Sequence, residues 1–275
     1  MTLSIEFNRK PKMKICLAQI DVQLGCVEEN TKKMTRWIER AGSEGNDLIV
    51  FPEMSDTGYD MEVILKTSSD WNSGVIESIK QAAAKANINV IAGISERVAG
   101  DVYNSIAVLD RNGKQIGKYR KTHLITAEPT CEQLFLKAGD QLGVVEIEGH
   151  LIGLMTCYEI RFPEIARTLA LRGAEILVIP AAWPLIRLPH WEALILARAI
   201  ENQVFVAATS RIGNDTGVPF SGTSTIISPY GNIMASASQI HEELISTNIN
   251  FDFIDEVRAQ IKVHQDRRVD LYSNI

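Results

Sequence analysis

LIGLMTCYEIRFPE, residues 151–164, is the stretch on which the reading of this chain turns. Leu151, Ile152, Leu154 and Met155 make a short apolar run, with Gly149 and Gly153 as its breaks, of the kind that forms a buried strand. The run delivers Cys157 into a polar turn. Pro163 suits a first helical position, because its missing N–H would be unpaired there in any case, and the helix is expected to run to about residue 172 before Gly173 stops it. A cysteine at the end of a strand, with free backbone N–H groups just beyond it, is placed where a thiolate attacks a carbonyl and the resulting oxyanion is caught. An isolated free cysteine is more often a buried structural residue. The charges flanking this one favour the chemical reading.

Composition sets the bounds. With 275 residues, 45% of them hydrophobic and 7% aromatic, the chain can bury a full core at the upper edge of one domain's size. No linker-like stretch divides it, so one domain is expected over residues 13–275, behind an amino-terminal lead-in at 1–12. The formal net charge is −6, and the only dense basic block, Arg9, Lys10, Lys12 and Lys14, reads as a solvated approach to the first strand rather than a nucleic-acid footprint. No apolar run reaches membrane-spanning length, and the opening MTLSIEFNRK lacks the apolar core of a signal peptide, so no membrane partner and a cytoplasmic location are expected. Cys16, Cys26, Cys131 and Cys157 form no CxxC pair and are expected as free thiols, with Cys16 in the core strand KICLAQI. The histidines, at 123, 150, 190, 241 and 264, make no HxxxH or HxH pair. Neither a metal nor another cofactor is therefore expected.

Strand and helix signals alternate along both halves. Residues 14–20 read as a strand, 27–41 as an amphipathic helix with Val27, Met34, Ile38 and Ala41 on one face, and 47–51 as a second strand leading into Pro52-Glu53. After a polar loop, 74–86 reads as a helix and 90–94 as a third strand. Residues 103–109 and 116–119 read as a hairpin about Asp110-Arg111-Asn112-Gly113, since Asn-Gly readily takes positive φ; it ends at Arg120-Lys121. Strands follow at 144–147, 176–179, 204–208, 223–227 and 243–249, with helices at 189–202 and 253–261 and a polar tail. Amphipathic helices between buried strands in both halves predict an α/β fold of two sheets faced by helices, a four-layer α-β-β-α sandwich.

Three ionisable residues share one property: Glu53, Lys121 and Cys157 each follow a strand-like run. Loops at one edge of a sheet gather residues distant in sequence into a single crevice. The words around them, FPEM, KYRKTHL and CYEIRFPE, resemble the nitrilase superfamily of carbon–nitrogen hydrolases over nearly the whole chain. GISER at 93–97, Tyr103-Asn104, the block at 181–208 and the ending RRVDLY are most similar to its ω-amidase branch. The resemblance implies the nitrilase-type sandwich, with Glu53 as general base, Lys121 as the cation beside the oxyanion and Cys157 as nucleophile. It also implies Glu132 as a second active-site glutamate, although Pro129-Thr130-Cys131 replace the aromatic common just before it.

The chemistry stands beside the name. Hydrolysis of an unactivated amide needs a strong nucleophile, a proton carrier for the departing ammonia and donors for the tetrahedral oxyanion. Cys157 supplies the first and Glu53 the second. Lys121 and the Tyr158 N–H supply the third, with Glu132 orienting Lys121 or the substrate. His123, two residues from Lys121, leaves a Cys–His hydrolase open, and a catalytically silent scaffold on the same fold is a further alternative. The expected substrate is a short ω-amide of a dicarboxylic acid, of the α-ketoglutaramate or succinamate type. Arg161 or Arg187 would take its distal carboxylate, with Tyr59 and Trp183 as walls. A nitrile or an N-carbamoyl amine, served by the same three residues, is the alternative. Apolar residues around the helix at 191–196, together with the resemblance, predict a homodimer.

Overall fold

The computed structural model describes residues 10–72 and 74–272; most of the expected lead-in and the last three residues lie outside the described residues. The first half of the chain forms β1 (Met13–Gln19), α1 (Val27–Ser43), β2 (Leu48–Phe51), α2 (Met61–Thr67), α3 (Val75–Ala86), β3 (Asn89–Val98), β4 (Asp101–Leu109) and β5 (Gln115–Arg120). The second forms β6 (Gly143–Ile147), β7 (His150–Leu154), α4 (Pro163–Leu171), β8 (Ile176–Ala181), α5 (Leu188–Asn202) and β9 (Phe205–Ser210). A small ribbon of β10 (Asn214–Asp215) and β11 (Val218–Pro219) follows. The chain then completes β12 (Thr225–Ile227), β13 (Ile233–Ser236), β14 (Glu243–Ile249), α6 (Asp252–Gln260) and α7 (Val269–Tyr272).

Two six-stranded sheets result, ordered β14-β1-β2-β3-β4-β5 and β13-β12-β9-β8-β7-β6. Read from β14 in one and β6 in the other, successive pairings run antiparallel, parallel, parallel, antiparallel, antiparallel in both. Each half of the chain builds the same sheet, with β14 returning from the far end to complete the first.

The strands are apolar on both faces because both faces are covered. In β1, Met13, Ile15 and Leu17 point to the opposite sheet, while Cys16 and Ala18 point to the helices; in β8, Ile176 and Val178 point inward and Leu177 and Ile179 outward. The central layer packs the two sheets on each other. On the outside, α1 and α3 cover the first sheet through Met34, Ile38, Ala41, Ile76 and Ile79, and α4 and α5 cover the second through Ile165, Leu169, Trp191, Ile195 and Ala199. This is the expected α-β-β-α sandwich. Each such Ile or Leu contributes about 1.5–3 kcal/mol by leaving water.

Some local expectations differ. The polar loop after Glu53 contains α2, a two-turn helix capped by Asp60, whose Oδ1 accepts the Val63 N–H at 3.0 Å; it is too short for apolar periodicity to reveal. The β4–β5 turn places only Gly113 in the left-handed region (φ +76°), and the register shifts between Val108 and Leu109, so the connection is bulged rather than a tight two-residue turn. An extra strand, β13, pairs with β12 between the expected strands at 223–227 and 243–249. Trp191 and Ile195 are consumed by the chain's own core, which leaves exposed Ile200 and half-buried Leu194 and Leu196 as the outer apolar residues of α5. Among the described residues no helix is long and apolar enough to cross a membrane.

Candidate active site

Glu53 lies two residues beyond β2, Lys121 directly beyond β5, and Cys157 three residues beyond β7. The loop after β2 is seated by Gly93: a side chain there would put a Cβ 2.5 Å from the Pro52 carbonyl oxygen and 2.7 Å from the Glu53 Cα. The Ser55 N–H then reaches the Gly93 carbonyl at 2.8 Å. Cys157 has φ of +45°, a costly conformation for a residue with a Cβ, at the sharp passage from β7 into a 3-10 turn over Cys157–Arg161. The first N–H groups of such a turn have no partner within it.

Glu53, Glu132 and Lys121 are fully buried and mutually bonded. Lys121 Nζ donates to Glu53 Oε1 at 3.0 Å and to Glu132 Oε1 at 2.8 Å. Glu53 also accepts from Asn104 Nδ2 at 2.6 Å and, through Oε2, from the Ala182 N–H at 2.8 Å. Glu132 accepts from the Tyr59 hydroxyl at 2.6 Å and the Ile125 N–H at 2.8 Å. Burial works against the charge on Lys121, but the carboxylates of Glu132 and Glu53 more than offset it and hold the ammonium above its ordinary value. Burial, then Glu132, pushes the Tyr59 phenol up, so it remains a donor. The Cys157 thiol is also pushed well up, by burial first and by the charge of Glu53 second, with Lys121 pulling the other way. The resting group is a thiol, whose proton must leave as it attacks.

Cys157, Tyr158, Arg161, Trp183, Arg187 and His190 share a cavity of about 320 Å³ with Tyr59. The Arg161 guanidinium lies 4.9 Å over the Trp183 ring and 3.4 Å from His190 Nδ1. The structure thus brings every sequence-identified candidate, Glu53, Lys121, Cys157, Glu132, Tyr59, Tyr158, Arg161 and Trp183, into one region. His123 points elsewhere: its ring packs on Phe162 at 4.3 Å, its Nδ1 meets the Thr122 hydroxyl at 2.9 Å, and the Glu159 carboxylate 3.9 Å away raises its pKa. Burial and local pairing therefore weigh against the Cys–His alternative. Asn104 and the Ala182 N–H were not assigned roles from sequence, though a buried asparagine within an apolar strand is a signal for Asn104. A larger groove of about 890 Å³, lined by Arg167, Leu171, Glu201, Ile261 and Tyr272, holds none of these residues.

The sequence profile of the carbon–nitrogen hydrolase family matches residues 14–259. The chain belongs to that family. It is 38% identical over 262 residues to the 2-oxoglutaramate amidase of Bacillus subtilis strain 168, an alignment covering 95% of this chain and 100% of that protein. It is 31% identical to omega-amidase NIT2 of Homo sapiens, covering 94% of this chain and 96% of that one. Among solved structures, the C. elegans NitFhit protein superposes with a TM-score of 0.88 at 28% identity, over 96% of this chain and 67% of that one. The likeness to the nitrilase superfamily and its ω-amidase branch is thereby borne out.

Proposed function

We propose that this carbon–nitrogen hydrolase is an ω-amidase, releasing ammonia from a short dicarboxylate monoamide of the α-ketoglutaramate or succinamate type. In this mechanism Cys157 Sγ attacks the amide carbon while Glu53 takes the thiol proton. The transfer suits a site with two buried carboxylates and one buried ammonium, because it keeps the total charge unchanged as the sulfur becomes nucleophilic. Lys121 Nζ and the Tyr158 N–H hold the oxyanion. Glu53 returns its proton to the nitrogen, the C–N bond breaks and ammonia leaves. Glu53 then deprotonates water, which attacks the thioester; the carboxylate product departs and Cys157 regains its proton. Glu132 and Tyr59 keep Lys121 aimed.

One observation supports the acyl group above others: Arg161, braced on Trp183 beside His190, opens into the same cavity as Cys157, with Arg187 at its rim. A guanidinium pairs a carboxylate in a fixed geometry and is left unpaired by a neutral amide. Ammonia release is to be measured across ω-amides, neutral amides of equal length, a nitrile and an N-carbamoyl amino acid. The ω-amides should lead by kcat/KM, and Arg161→Ala should lower their value about 10²-fold while changing a neutral amide less than tenfold. A nitrile or carbamoyl preference overturns the assignment.

A cytoplasmic homodimer accompanies this reading. Its support is the absence of disulfides among the described cysteines and the exposed Leu171 and Ile261 that line the larger groove. A monomer by light scattering at micromolar concentration removes the dimer.

A further inference from the structure

The nucleophile and the oxyanion cation come from different sheets, Cys157 from the end of β7 and Lys121 from the end of β5, so their spacing depends on what joins those two loops. Lys121 itself is tied to its own half by its N–H on the Asn104 carbonyl at 2.9 Å and by the Gly139 N–H on its carbonyl at 2.8 Å. Across the gap stands Glu159, fully buried and untouched by the proposed reaction. Its Oε1 accepts from the Tyr119 hydroxyl at 2.6 Å, the Thr122 N–H at 2.8 Å, the Thr122 hydroxyl at 2.7 Å and the His123 N–H at 3.2 Å. Its Oε2 accepts the Thr156 N–H at 2.7 Å. Thr122 is the residue after Lys121 and Thr156 the residue before Cys157. Among the described residues, every hydrogen bond between 119–123 and 154–162 runs through this one carboxylate.

We propose that Glu159 is the positioning residue that sets the distance between Cys157 and Lys121, one oxygen holding each loop. All its partners are donors, so only a carboxylate satisfies both sides. A glutamine of the same shape has one acceptor oxygen, and its NH2 would face the Thr156 N–H in one orientation and the Thr122 and His123 N–H groups in the other, so whichever way it turns one loop loses its backbone bonds. Burial pushes the Glu159 carboxyl up, yet the bonds from His123, Tyr119 and Thr122 hold it below the usual carboxylate range, which keeps both oxygens acceptors at neutral pH.

The inference rests on the amidase reading for its turnover arm and is independent of it in a second arm. Glu159→Gln is compared with wild type for kcat and KM, with kcat counted per Cys157 thiol, assigned by mass spectrometry of the titrated protein because Cys16, Cys26 and Cys131 are also free. Iodoacetamide alkylation of Cys157, followed by mass spectrometry, needs no substrate. We expect kcat per thiol to fall about 10- to 100-fold with KM within about threefold, and alkylation to slow by about threefold or more, as expected when a buried transition state loses a positioned donor. Tyr119→Phe deletes a donor but leaves both loops tied, and should keep kcat within about threefold. Thr122→Val removes the hydroxyl bond made beside Lys121 and, combined with Tyr119→Phe, leaves only the Thr122 and His123 N–H groups on that side; the pair should lower kcat about three- to tenfold at unchanged KM and decides the matter if Glu159→Gln does not fold. Wild-type kcat per thiol and wild-type alkylation in Glu159→Gln, or wild-type kcat in Tyr119→Phe/Thr122→Val when the former is insoluble, overturns the proposal. A wild-type protein that hydrolyses no ω-amide overturns the amidase reading alone and leaves the alkylation arm to decide.

Discussion

Replacing Lys121 by methionine keeps the shape of the aliphatic stem and removes the only cation bonded to two fully buried carboxylates, 3.0 Å from Glu53 and 2.8 Å from Glu132. At an effective dielectric near 20, each contact is an attraction of about 5–6 kcal/mol, most of it offset by the cost of burying the three charges. Truncating one partner while the others stay buried exposes that cost, and the expected loss is about 3–5 kcal/mol. A domain in the upper part of the typical range of about 5–15 kcal/mol remains folded after such a loss at room temperature. Urea unfolding followed by circular dichroism at pH 7 reads the loss. The variant should have a lower midpoint than wild type, while Lys121→Met/Glu132→Gln should recover part of the stability and none of the activity. Equal midpoints would refute the charge arrangement.

Cys157→Ala and Glu53→Gln should each abolish ammonia release while leaving the urea midpoint within about 1–2 kcal/mol of wild type, and EDTA should leave wild-type turnover intact; residual burst release of ammonia in Cys157→Ala would exclude the thioester route. Gly93→Ala should cost about 1–3 kcal/mol and lower kcat, because its Cβ would meet the Pro52 oxygen at 2.5 Å and the Glu53 Cα at 2.7 Å; a fully active, equally stable variant would show that the loop has slack. His123, raised by the nearby Glu159 carboxylate, contributes stability that is complete below its unfolded pKa of about 6.5 and is lost as pH rises through the higher folded value. His123→Gln should therefore trail wild type by a margin of at most about 1 kcal/mol that shrinks between pH 6 and pH 9, the side chain being 41% exposed; a margin that grows over that range contradicts the pairing.

Glu53, Lys121 and Cys157 were readable because each ends a strand-like run, and that property is local: an apolar stretch stops and a charge or a thiol begins. Alternating strand and helix signals similarly displayed the layers, since period and length mark an element before it meets its neighbours. What was hidden depended on contacts between distant segments. Asn104 looks like one polar residue inside β4 until the Glu53 carboxylate is found 2.6 Å away, 51 positions earlier. Gly93 looks like a weak point in β3 until the Pro52 carbonyl is found against it. A short helix such as α2 offers only a cap and two buried side chains, too little for a periodic signal.

Glu159 makes the same point within a motif that was read. CYEIRFPE was informative for its cysteine, yet its glutamate is committed to Tyr119 of β5 and to Thr122 and His123 in the loop that follows it. The two sheets share one pairing pattern, so each half of the chain explains its own layer. The candidate site belongs to neither half. Glu53, Asn104, Lys121 and Glu132 come before β6, whereas Cys157, Glu159 and the Ala182 N–H come after it. A site assembled across a doubled fold needs bonds that cross between the copies. Those bonds are buried, charged and few, so a single substitution among them should disturb catalysis more than it disturbs either sheet.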